Sequence, residues 1–393
     1  MAGKRKVDDW INGYCEMLQT TESPDIYKKW VAVSTIAAAL KRKCWLSWHN
    51  HVDTHPNMYI VLVGPPAIGK GMALGPARQM LSSIGIKMSA SCTTLQAMIE
   101  DLLSCTDTRI IDGIPMISSS LTVVSPEFTV FLGRNNGEFC DKITDLYDCP
   151  SPWSYKTKAR GNESMDAVFL NIIGATTPGL LQATMTGEAI TGGLMSRVVL
   201  VYADQKSRLV PIPAAVSRDE DLYSKLYKDL GSISEMEGKF LLSKDVVDPW
   251  VDWYIAKDTN DGLSSDRRFA AYCGRRDMHL LKLMMIVSAA RSDEMVLRKE
   301  DFETALGLLN EAEQFMPGAF RGYGKNVLSE FIAAAQTEIQ TARLIYLKQF
   351  KKRHLNDVSS EDIDKVLKAL ESTGFCKLIT GERGNEIIKY TGE

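Results

Sequence analysis

The sequence predicts an α/β protein, and three observations carry that expectation. The apolar run Met58–Val63 empties into a glycine-rich loop that leads into a helix. Two further apolar runs, 121–124 and 167–175, end in acidic or hydroxyl residues, and a last apolar strand, 198–202, follows a glycine pair. With 393 residues and 45% hydrophobic content the chain can bury a large core, and its length suggests about two to four domains.

The loop reads Gly64-Pro65-Pro66-Ala67-Ile68-Gly69-Lys70-Gly71-Met72, with the spacing G-x4-G-K. Gly64 and Gly69 permit the tight turns that aim successive backbone N–H groups inward. Lys70 supplies a point charge for β- and γ-phosphates, and a helix expected from about Met72 to Ile84 offers its positive end. Residues 64–72 are therefore the expected nucleotide cradle. Gly71 stands where a serine or threonine usually ligates Mg²⁺, so magnesium is held differently or hydrolysis is weak.

A phosphate loop needs acidic and polar partners on neighbouring strands. The run Leu121–Val124 ends at Ser125-Pro126-Glu127, which puts Glu127 where a glutamate can polarise the water attacking a γ-phosphate. Pro126 replaces the aspartate that usually precedes it, and a carboxylate there equally suits a helix start before Phe128. The run Ala167–Ala175 ends at Thr176-Thr177-Pro178, with Thr177 suited to sensing the γ-phosphate or the water. Arg197, after Gly192-Gly193-Leu194-Met195-Ser196, enters the strand Val198–Tyr202; a rigid guanidinium there suits transition-state charge, and a local ion pair is the alternative.

This order of phosphate loop, strand with acid, strand with threonine and Gly193-Leu194-Met195-Ser196-Arg197 resembles the AAA+ replicative helicases of phages and mobile elements, related to superfamily 3 viral helicases. The resemblance spans about residues 25–325. It implies an AAA+ P-loop ATPase core using ATP and Mg²⁺, and a homo-oligomeric ring, a hexamer by family. Single-stranded or forked DNA is the implied partner, with a primase or polymerase on another chain. By resemblance Arg197 acts on the neighbouring subunit's ATP. Arg275, at the start of the helical run 274–290, is similar to the sensor 2 arginine, with Arg276 close behind it. The resemblance also implies a DNA-gripping hairpin before the threonine strand. The segment Tyr155-Lys156-Thr157-Lys158-Ala159-Arg160-Gly161-Asn162 alternates cations with small residues, so Lys156, Lys158 and Arg160 share one side of such an arm, expected to turn at Gly161-Asn162. A solvated strand face is the plainer alternative.

A formal charge of −3 excludes a uniformly basic nucleic-acid coat. Lys41-Arg42-Lys43 close a helix expected over Tyr27–Leu40, where cations suit the carboxyl-end dipole. Eight cysteines lack C-x2-C pairs, which suggests neither a zinc ribbon nor a disulfide framework. His49, His51 and His55 read as ordinary strand and loop residues, and no metal ligand is assigned. The apolar runs are shorter than a membrane span and no signal-peptide region is seen, so no membrane partner and a cytoplasmic location are expected, in the bacterial host if the chain is phage-encoded.

The expected division is a helical N-terminal region at 1–56, the ATPase core at 57–206, a helical lid at 207–325 and a winged helix at 326–393. In the last, a helix near 342–350 precedes the capped helix after Ser359 and a hairpin of 375–379 with 386–390. It binds duplex DNA through Lys365 and Lys368 or mediates protein contacts. The expected function is an ATP-dependent DNA helicase or translocase of phage-type replication. Two rivals are a nucleotide-dependent initiator or loader with little unwinding, and a weakly hydrolysing structural ring.

Overall fold

The computed structural model describes residues 5–49, 52–90, 94–111, 114–133, 136–157, 161–184, 193–212, 219–257, 263, 266–320, 327–355, 358–381 and 385–391. The chain forms two compact units, Met1–Arg321 and Gly322–Glu393. At the heart of the first lies a five-stranded sheet. Its order from edge to edge is Thr106–Ile111, Ile114–Ser125, Val168–Thr176, Tyr59–Val63, Val198–Tyr202. The last four run parallel and only Thr106–Ile111 is antiparallel to its neighbour. Met88 bridges Thr122 in the parallel sense, so the chain leaving helix Lys70–Ser83 also reaches this sheet.

Three apolar strands, the inner Tyr59–Val63 and Val168–Thr176 and the edge strand Val198–Tyr202, are buried at every position. Both faces are covered, which explains why they read as continuous apolar runs and not as alternating ones. Helix Asp25–Leu40 is buried almost throughout and packs on this layer. Its partner Trp10–Met17 is capped by Asp9, whose carboxylate accepts from the Asn12 amide.

The expected division of the first unit is corrected by strand pairing. Residues 1–56 are not purely helical, because Cys44–His49 and Val52–Thr54 are strands. Nor is 207–325 a purely helical lid. Strand Gly238–Leu242 pairs in parallel with Cys44–Leu46 and with Val296–Leu297, weaving both regions into one four-stranded sheet. Ties of high sequence separation reinforce this: Arg5 pairs with Asp293, and Trp10 Nε1 donates to the Leu226 carbonyl.

The second unit runs helix Val327–Ala342, strand Leu344–Tyr346, helix Leu347–His354, helix Ser360–Ser372, then strands Cys376–Thr380 and Glu386–Tyr390. Its sheet order places Glu386–Tyr390 between the other two strands. The helix expected near 342–350 instead begins at Leu347, after a strand. Ser359 caps the next helix through the Asp362 amide, and Ile363, Val366, Leu367 and Leu370 turn inward at helical spacing.

Among the described residues no helix is long and apolar enough to cross a membrane, and no group of His, Cys, Asp or Glu could hold a metal ion. His55 is buried against the Cys44 carbonyl, and burial holds its pKa well below the ordinary value. Cys44, Cys149, Cys273 and Cys376 are buried free thiols, while Cys15, Cys105 and Cys140 are partly exposed.

Candidate phosphate loop and an arginine edge

Strand Tyr59–Val63 ends at Gly64, where a Cβ would lie 2.3 Å from Tyr27 Oη and 2.4 Å from the Ala203 carbonyl. No side chain fits, because Tyr27 donates its hydroxyl to the Val63 carbonyl at 2.7 Å. The loop then takes left-handed backbone at Ala67 (φ 61) and Gly69 (φ 102). At Gly69 a Cβ would also meet Ser23 Cα at 2.9 Å, so both conformation and space demand glycine. Ala67 carries a strain that glycine would relieve, and such strain concentrates where backbone groups are aimed at a ligand.

Helix Lys70–Ser83 starts directly after Gly69, two residues earlier than expected. Tyr14 anchors it by donating to the Ala73 carbonyl at 2.7 Å. The Lys70 ammonium is held by its own loop, donating to the Gly64 and Pro65 carbonyls at 2.6 and 2.9 Å. Burial lowers its pKa and the Glu127 carboxylate works against that. Gly71 is exposed, and a Cβ there would meet nothing within 4 Å.

Strand register brings the other expected residues to the same edge. Val63 pairs with Thr176 and Ser125 with Gly174, so Gly64, Glu127 and Thr177 all follow the carboxyl ends of adjacent parallel strands. Glu127 is exposed and precedes helix Phe128–Leu132 without capping it by its side chain. Thr177 accepts weakly from the Leu180 amide at 3.4 Å. Thr176, one residue earlier, is buried and its hydroxyl has no partner, a feature that sequence pattern does not distinguish from its neighbour. Gly174 lies against Phe128, with a would-be Cβ 2.7 Å from the ring, so the acid-bearing turn packs tightly on the threonine strand.

Arg197 and Arg275 lie elsewhere. Tyr59 pairs with Val198 as Val63 pairs with Tyr202, so Arg197 sits at the amino-terminal edge of the sheet. Six strand steps of about 3.3 Å put it roughly 20 Å from the level of Gly64, beyond the reach of one side chain. There its Nη2 donates to Asp148 at 2.7 Å and its Nη1 to the Gly193 carbonyl at 3.0 Å. Arg275 donates to the other oxygen of Asp148 at 3.3 Å. Thus the structure joins Arg275 to Arg197 through Asp148 and not to the candidate phosphate loop of its own chain. Arg276 is buried in a two-pronged pair with Glu313 at 2.6 and 2.9 Å, which makes it structural. Neither Asp148 nor the buried group beneath it, His279, follows from a motif; a lone acid after Tyr147 carries no spacing signal.

The expected basic hairpin is present as strands Trp153–Thr157 and Gly161–Met165, with Thr157 opposite Gly161. Gly161-Asn162, expected as the turn, instead opens the return strand. Lys156 lies on the outgoing strand; Lys158 and Arg160 lie outside the described residues. Trp153 and Tyr155 anchor the base by donating to Asp145 and Glu138. The cluster at 41–43 is structural: Arg42 donates to the Val168 carbonyl at 2.7 Å and Lys43 to that of Ser234.

No protein-family model matches the chain, and no curated protein matches it either.

Proposed function

We propose that the chain is a ring-forming AAA+ ATPase that uses ATP hydrolysis to move along or unwind DNA. The observation that carries this reading is the division of its candidate groups between two edges of one parallel sheet. Lys70, Glu127 and Thr177 stand at the carboxyl edge around a glycine-bounded loop, while Arg197 and Arg275 stand at the opposite one. A single copy holds a phosphate cradle without a transition-state cation from the second edge. Two copies packed edge to edge would complete the site, and a head-to-tail contact of that kind closes into a ring.

Within such a site each residue has a stated task. Within the cradle 64–72 the amides from Ala67 to Gly71 take the phosphates, since Pro65 and Pro66 carry no N–H and the Gly64 and Met72 amides donate to the Thr176 and Gly69 carbonyls. Lys70 exchanges its loop carbonyls for phosphate oxygens. Glu127 accepts a proton from, or orients, the attacking water. Thr177 holds the γ-phosphate end, and Arg197 meets the charge that develops on the transferring group. The donor set suits Mg²⁺ bound mainly through waters and phosphates, with Glu127 and the unpartnered hydroxyl of Thr176 at hand. The ion would neutralise phosphate charge.

DNA enters as the track through the cations at 156, 158 and 160, whose contacts with phosphates are sequence-independent. A second reading, the weakly hydrolysing structural ring, is favoured by Gly71 and Pro126. ATP turnover with and without single-stranded DNA separates them. DNA-stimulated turnover that Lys70→Ala abolishes supports the motor; turnover indifferent to both DNA and Lys70→Ala sinks it.

A further inference from the structure

The edge opposite the phosphate loop gathers cations around one carboxylate. Arg197 and Arg275 each take a different oxygen of Asp148. Lys282 lies fully buried nearby, its ammonium over the Tyr147 ring at 4.3 Å and donating to Asn57. We propose that Asp148 is a positioning residue for phosphate capture between copies: it sets Arg197 and Arg275 side by side, so that the pair meets the nucleotide of a second copy as one preformed unit. The inference rests on the ring-ATPase reading of the same edge.

Two guanidinium groups repel at close range unless an anion lies between them. Asp148 supplies that anion with one oxygen for each. Arg197 is further fixed by the Gly193 carbonyl and by the Tyr147 ring at 5.9 Å from its guanidinium carbon. The foundation is His279. Its Nε2 faces the Ser196 carbonyl at 3.1 Å and its Nδ1 the Tyr147 hydroxyl at 3.1 Å. A carbonyl can only accept, so Nε2 carries the proton and Nδ1 accepts from tyrosine. Burial keeps this imidazole neutral, pushing its pKa down to about 3. One neutral ring thereby fastens the residues immediately before Arg197 and before Asp148. Asn57 completes the platform by donating to the Tyr147 carbonyl at 2.9 Å.

Asp148 itself is 49% exposed by side chain. Its pair with the half-buried Arg275 adds little to stability, and with Arg197 largely covered the carboxylate's geometric role is to hold both guanidinium groups together. Preset donors act at the moment charge develops and need no rearrangement then.

The test compares Asp148→Asn and Asp148→Glu with the parent chain, reading nucleotide affinity, assembly and ATP turnover separately. Asp148→Asn should keep affinity and assembly but lose turnover roughly 10-fold or more, as misplaced groups do. Asp148→Glu should recover part of it. In an Arg197→Ala, Arg275→Ala background Asp148→Asn should cost nothing further. Mixing Asp148→Asn with Lys70→Ala chains should restore turnover, because the second chain still brings an intact arginine pair. Parental turnover in Asp148→Asn, or a loss that mixing cannot repair, overturns the proposal. Parental turnover in Lys70→Ala would instead overturn the phosphate-loop reading and take this inference with it, so the two failures are distinguishable.

Discussion

Lys70→Ala and Arg197→Ala damage opposite edges of the same sheet, so their mixture reports directly on whether one copy completes another's site. Removing Lys70 takes the ammonium from the cradle; removing Arg197 leaves the cradle intact and cuts turnover by roughly 10³-fold or more if it acts as an arginine finger. Each variant alone should therefore be silent, while Arg197→Ala still binds nucleotide. In a ring assembled at random from equal parts, a junction works only when an Arg197→Ala copy offers its loop and a Lys70→Ala copy offers its arginine. That combination occurs at about one quarter of junctions in a closed head-to-tail ring. Turnover should recover to about that fraction and follow x(1−x) as the share x of either variant is varied, given independent junctions. Steady-state phosphate release over a mixing series is the assay, with subunit exchange verified by differently tagged chains. The strand register separates the two edges by five paired rows, Tyr59 with Val198 through Val63 with Tyr202, so no route within one copy predicts recovery. Zero recovery in demonstrably mixed assemblies would refute the reasoning and return Arg197 to a local ion pair with Asp148.

Gly71→Ser adds a hydroxyl where a Cβ meets nothing within 4 Å, so it should gain a few tenths of a kcal/mol of helix stability and lower the Mg²⁺ concentration for half-maximal turnover; an unchanged Mg²⁺ titration says the ion is not held there. Lys282→Met probes the buried platform by pH: burial pushes the ammonium from 10.5 down to about 8, so the folded chain carries the charging cost in full below pH 8 and sheds it as pH rises toward 10.5. The parent should therefore gain on the variant by about 1 kcal/mol between pH 7 and 9 and by about 3 kcal/mol by pH 10.5, read from urea unfolding; equal pH slopes contradict it. Changing Lys156, Lys158 and Arg160 to alanine should weaken single-stranded DNA binding without sequence preference and flatten the log-affinity against log-salt slope by up to about 0.7 per lost contact. Basal turnover should persist, and unaltered binding would move the DNA contact elsewhere on the chain.

Local chemistry made part of this architecture legible. The strand Val198–Tyr202 has its expected bounds because a fully buried parallel strand must be apolar at every position. The strand–loop–helix at 59–83 was legible because glycine is required at two points that the structure explains sterically, Gly64 under Tyr27 and Gly69 against Ser23. What escaped were pairings between distant segments. Strand Gly238–Leu242 shows one buried position in five, so its pattern resembles an exposed stretch. Its role as the link between Cys44–Leu46 and Val296–Leu297 is visible only in the register. Asp148 and His279 were hidden for the same reason, since each works through partners 49 to 132 residues away in sequence.

The helix Asp25–Leu40 explains why the two edges keep their separation. Sixteen residues span about 24 Å, close to the distance across the sheet. Near its start, Tyr27 holds the Val63 carbonyl beside the phosphate loop. Just past its end, Arg42 holds the Val168 carbonyl, at the opposite edge of the threonine strand. Midway, Ser34 takes the Asn171 amide through both its carbonyl and its hydroxyl, and Asn171 Oδ1 accepts the Met58 amide. One buried rod is thus bonded to the sheet at its beginning, middle and end. Folding fixes the cradle and the arginine pair on a common frame and equally fixes them apart. A chain built this way does not bring Arg197 to its own glycine-rich loop by a local side-chain change. In the ring proposed above, a second copy has to complete the site, which is why mixed assemblies test that proposal more sharply than any single substitution.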